Sequence, residues 1–156
     1  MDGAPETSAF QAVEELRGCY EAFAEKLEAC CAANVGEAMG FLFRAQGNPK
    51  VGYAVEEFNA VVTRRVADLA ERLTLCPAEQ AGRLAEQAME LMIFYPQPRN
   101  NTISFSLAAF EGHARPLVRF LPAQRRQELA RRYARRTPPR RMLPNQNKLW
   151  QALVSG

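Results

Sequence analysis

Histidine is almost missing from this 156-residue chain: His113 stands alone, so a triad or a metal site built on several imidazoles is excluded. Paired acid–base work is no better served, because Glu56 and Glu57 are neighbours on one helix and their side chains diverge. The chain has no phosphate-cradling glycine loop, no GxGxxG and no CxxC pair. No apolar run approaches the ~20 residues of a membrane span. The N-terminus, with Asp2 and Glu6, lacks the basic-then-apolar order of a signal peptide. The four cysteines (Cys19, Cys30, Cys31, Cys76) lack metal-ligand spacing and read as reduced thiols of a cytosolic setting. Cys76 is read as a free thiol, with a disulfide across a two-fold axis as the alternative. Together these absences argue against an enzyme, a metal, a cofactor or a small-molecule substrate.

What is present is helix-forming and unevenly charged. Residues 1–95 hold 15 acids and 8 bases, a net of −7, whereas residues 96–156 hold 2 acids and 12 bases, a net of +10. Such polarity points to a basic face for nucleic acid, an anionic surface or the acidic part of another copy. At this length one domain is expected over 1–156. It divides into N-terminal helices (1–49), a helical hairpin (50–111), basic C-terminal helices (112–137) and an extended arm (138–156).

The hairpin carries the strongest pattern. Val55, Phe58, Val62, Val66, Leu69 and Leu73 recur at spacings of 3, 4, 4, 3 and 4, the period of one helix face. Cys76-Pro77 interrupts the run, since proline removes a backbone donor yet suits a helix start. Leu84, Leu91, Met92 and Tyr95 continue on a second helix. Two rods cover only the sides that face each other. A two-fold copy completing a four-helix bundle is one cover for the rest, and the first helices of the same chain are the other.

Before the hairpin, Val13, Leu16, Tyr20, Phe23, Leu27 and Cys30 form an apolar stripe behind Ser8, a candidate cap. Phe41, Leu42 and Phe43 read as core, and Gln46-Gly47-Asn48-Pro49 as a turn. Beyond it, Pro96 and Pro98 break the chain, and 102–107 is assigned to helix over strand. Gly112 and Pro116 lead into a short apolar helix over 117–121. Pro122 starts a basic helix anchored by Leu129 and Tyr133 that stops at Thr137-Pro138-Pro139. Arg131, Arg132, Arg135 and Arg136 on that helix are candidates for phosphate contacts. Pairing with acidic helices is the competing role. Leu149, Trp150, Leu153 and Val154 suit a last helical turn that docks on a neighbour or packs home.

The exit Arg136-Thr137-Pro138-Pro139, followed by Leu143-Pro144-Asn145 and an apolar end, resembles the close of the assembly domain of hepadnavirus core (capsid) proteins. The hairpin tip at Cys76-Pro77 sits where that family has its dimerising spike. Ile103-Ser104, Phe110 and Gly112 are also similar to the end of the spike helix. Among relatives, the non-enveloped nackednavirus capsid proteins are most alike. The resemblance spans nearly the whole chain as architecture and few positions by identity.

It implies an all-α subunit that dimerises through the hairpin and assembles into an icosahedral shell around viral RNA or DNA, in the virion and in the host cytoplasm or nucleus. The dimer seam would be Val55, Phe58, Val62, Val66, Leu69, Leu73, Leu84, Leu91, Met92 and Tyr95. Contacts between dimers would fall to the arm, with Thr137, Pro138, Pro139, Arg140, Arg141, Leu143, Pro144, Leu149 and Trp150. The family's arm plugs an aromatic residue into the adjoining dimer. Arg140-Arg141 occupies that place here, so Trp150 or Leu149 would supply the anchor. The family's arginine-rich tail is missing before Gly156, so either it is cut away or the basic helix does part of its work. The competing expectation is a helical RNA-binding or ribosome-associated subunit that does not assemble. A third is an adaptor whose basic end meets an acidic partner.

Overall fold

Apolar stripes of period 3.6 dictate the architecture, and the computed structural model, which describes residues 4–32, 49–95 and 110–155, is all-α. Helix α1 runs Ala4–Ala32, α2 Pro49–Leu73 and α3 Ala78–Ile93; α4 runs Ala123–Arg136 and α5 Pro144–Ser155. Two 3-10 segments, Glu111–Phe120 and Pro139–Arg141, fall between them. Helix α1 begins before Ser8. The expectations for 33–48 and 96–109, including the Phe41–Phe43 patch and the helix over 102–107, lie outside the described residues.

Prolines start the helices as expected from their fixed φ and missing donor. Pro77 and Pro122 precede α3 and α4, and their carbonyls accept the first helical bonds from Ala81 and Arg126, each at 2.9 Å. The turn between α2 and α3 is only residues 74–77. After Gly112 the chain departs from the expected short helix over 117–121. It winds as a 3-10 segment from Glu111, in which Pro116 denies the ladder one donor.

The stripe of the hairpin is covered by its own chain. Helix α2 packs most broadly on α1, and α3 packs on the 3-10 segment Glu111–Phe120; α2 and α3 touch each other much less. Phe58 is the clearest witness. It stacks on Phe23 with ring centroids 4.0 Å apart, and meets Tyr20 and Phe110 edge-on at 5.0 Å. Val62, Val66, Leu69, Leu73, Leu84, Leu91 and Met92 are buried in the same core, with Val55 and Tyr95 half-covered at its edge. At these positions the chain's own helices supply the cover, the second of the two covers that spacing left open. A stripe of this spacing needs a cover of matching shape, and the α1 stripe of Val13, Leu16, Tyr20 and Phe23 provides it.

The C-terminus departs from the extended arm expected over 138–156. Residues 144–155 form a helix, and Leu149 and Leu153, one turn apart, are fully buried against the chain's own core. Helix α5 packs on the 3-10 segment and on α4. The approach is backbone-close: a Cβ on Gly112 would lie 2.7 Å from Asn145 Cβ, which is why glycine stands there. At Gly82 a Cβ would meet the Phe120 carbonyl at 3.1 Å, marking where α3 receives the end of that segment.

Candidate nucleic-acid surface

Helix α4 sorts its arginines by the face on which they stand. Leu129, Ala130 and Tyr133 point into the core and fix the helix's rotation. On the side toward α3, Arg125 forms a two-pronged pair with Glu86, at 2.7 Å in its closest approach, and reaches Glu128 at 3.1 Å. Arg132 bonds Glu90 at 3.2 Å and lies over the Phe94 ring at 4.7 Å, and Arg136 covers that ring at 5.7 Å. Arg126 donates to the Leu121 carbonyl. These four are engaged by groups of the same chain.

Arg131 and Arg135 are different. Both are exposed, and neither forms an ion pair among the described residues. Arg140 and Arg141, in the short 3-10 turn, and Lys148 on α5 are also exposed and have no carboxylate beside them among the described residues. The same holds for Arg115 and Arg119, the latter lying over its own neighbour Phe120 at 4.7 Å. The expected set of four thus divides into two outward cations, Arg131 and Arg135, and two inward ones, Arg132 and Arg136. Residue type alone missed Arg115 and Arg119. Their spacing of four on either side of Pro116 and Leu117 was the available signal.

Several acids of α1 and α2 are paired within the molecule. Glu6 meets Arg83 at 2.8 Å, Glu15 meets Arg65 at 2.7 Å and Lys26 meets Glu57 at 2.8 Å. Exposed pairs of this kind each contribute about 0–1 kcal/mol, so they trim the field more than they bind the helices.

The residues expected in an arm are placed by the chain's own packing. Thr137, Pro138 and Pro139 are half-buried; Thr137 leaves the helix with extended φ and ψ and its N–H donates to the Tyr133 carbonyl at 2.8 Å. Leu143 is half-covered and Pro144 exposed, while Leu149 is inside. Trp150 is half-covered and forms one wall of an open groove of about 270 Å³ between α4 and α5. Gln127, Ala130, Arg131, Ala134 and Val154 line the rest of it.

Beneath this surface lies a buried polar cluster. Glu111 accepts from Gln146 Nε2 at 3.1 Å, and Gln146 Oε1 accepts from the Leu143 N–H at 2.8 Å. The hydroxyls of Tyr20 and Tyr133 and Nη1 of Arg136 are buried without a closed hydrogen bond. Burial pushes the Glu111 carboxyl up to about 7, against the opposing pull of Gln146, Tyr133 and Arg136. Burial first, and the Glu111 charge second, holds both phenols well above their usual range.

His113 is partly covered and stacked on Phe110 at 5.5 Å, and burial lowers its pKa. The Cys76 thiol is raised by burial and by nearby Glu6; Cys19 and Cys76 are both free thiols. Among the described residues no group of three His, Cys, Asp or Glu is placed to hold a metal ion, and no helix is long and apolar enough to cross a membrane. No family model matches the chain, and no curated protein or solved structure is significantly similar to it.

Proposed function

We propose that this chain is a helical nucleic-acid-binding protein whose contact surface is the outward side of α4 with the neighbouring cations of the 3-10 segments and α5. One observation carries the reading. Arginines of a single helix are split between carboxylate-paired positions facing α3 and exposed positions that have no carboxylate among the described residues. Folding satisfies the first set and leaves the second free to replace counterions on phosphates.

The test is a salt titration of binding to a short RNA by fluorescence anisotropy. Arg131→Ala with Arg135→Ala should weaken binding and flatten the slope of log K against log salt by roughly 0.7–0.9 for each phosphate no longer neutralised. Arg132→Ala should instead lower thermal stability, because Glu90 is left without its cation and Phe94 without its cover, with little change in slope. Unchanged affinity and slope in the Arg131/Arg135 double variant would remove the proposal.

A second reading, a shell-forming capsid subunit, shares this surface and is favoured by exposed apolar side chains on the hairpin. Tyr53 and Leu75 are each 71% exposed, near opposite ends of α2. A dimer would have to use such positions, because the Val55–Leu73 stripe is occupied. Electron microscopy of the purified protein tests it, and particles of uniform size would support it.

A further inference from the structure

We infer that the groove between α4 and α5 takes an unpaired base of a single-stranded nucleic acid, stacked on Trp150 while Arg131 and Arg135 hold the flanking phosphates. The inference rests on the phosphate-binding reading of α4 and names the strand form that α4 would bind.

Three features converge on that groove. Its walls are largely apolar, with Trp150 and Val154 from α5 opposite Ala130 and Ala134 from α4. Its one charged lining residue is Arg131, and Arg135 follows one turn later on the same helix. No acid lines it among the described residues; the nearest acid in sequence, Glu128, is engaged by Arg125 at 3.1 Å. At about 270 Å³ and open to solvent, it falls below the roughly 300–1,000 Å³ of pockets that enclose whole small molecules. A flat ring slotted against an indole, with its sugar–phosphate chain outside, suits this shape and charge. A duplex does not, because its bases are already stacked on each other and their faces are not available. Alanines at 130 and 134 matter for the same reason, since larger side chains there would fill the slot.

Trp150 is the chain's single tryptophan, so its fluorescence reports on this groove alone. Titration with an oligouridylate or an oligothymidylate should quench it, whereas a duplex of equal length should not. Trp150→Phe should retain most of the affinity, and Ala134→Leu should block the slot and weaken single-strand binding between about 5- and 150-fold, the range for removing one stacked base. Quenching by duplex as strong as by single strand would overturn the inference. So would a fluorescence change that depends on protein concentration without nucleic acid, which would give the groove to a second copy. If Trp150 stays silent while Arg131→Ala/Arg135→Ala still weakens binding, the stacking site falls and the phosphate surface stands. If neither responds, both fall.

Discussion

Glu111 is only 3% exposed, yet it sits among Tyr20, Tyr133, Gln146 and Arg136, groups contributed by α1, α4 and α5. Its carboxyl is displaced from 4.5 to about 7 chiefly by burial, so the folded chain binds a proton there that the unfolded chain releases. The stabilising contribution is therefore complete below the unfolded value and is lost as pH rises through about 7. At 1.36 kcal/mol per unit, the difference across that window is on the order of 3 kcal/mol. Urea midpoints measured from acid to mildly basic pH should fall for the wild type. Glu111→Gln keeps an acceptor for Gln146 and should flatten the profile. An equally steep profile in the variant would show that other groups set the dependence. The arginines give the complementary lesson at this scale. Arg131 and Arg132 are adjacent and chemically identical, but the roughly 100° between successive helical positions sends one to solvent and the other to Glu90.

At the scale of elements, helix α5 changes what removal of the C-terminus does. Leu149 and Leu153 are fully buried, and Gln146 ties α5 both to Glu111 and to the Leu143 N–H just before its own first turn. Ending the chain after Thr137 should uncover the core and give a chain with lowered helicity and melting temperature, not a folded subunit that merely lacks an arm. Leu153→Ala is the milder version and should cost about 2–5 kcal/mol in urea unfolding. A truncated chain as stable as the whole would show that α5 is an independent appendage.

Much of this level was legible in the residues. The α2 stripe, the turn at Cys76-Pro77, the proline before α4 and the stop at Thr137-Pro138 all follow from local chemistry. The helix at the end was half-legible, because Leu149 and Leu153 are four apart behind Pro144. Prolines at 138, 139 and 144 suggested an extended chain instead, although Pro144 stands where proline begins a helix. The identity of the stripe's cover was not legible. Spacing states that Val62 and Leu69 need an apolar neighbour, and α1 and a second hairpin satisfy that need equally in sequence. For the same reason Leu69→Asp would place an unpaired charge in the single-chain core and unfold it, and so would not report on dimerisation.

For the molecule as a whole, charge and closure go together. Glu6, Glu15 and Glu57 pair with bases on facing helices, and the positive excess beyond residue 96 is only partly matched by Glu86 and Glu90. The asymmetry was plain in the sequence. Which cations stay free was not, since that depends on the rotation of α4 about its axis, set by Leu129 and Tyr133. A chain that fills its own hairpin has no need of a twin to do so, and this is the claim on which the placement of the free basic face depends. Sedimentation velocity at high salt, with nucleic acid removed, tests it most directly. The account predicts a single folded species of 17.5 kDa. A dimer that comes apart only as the chain unfolds would contradict it.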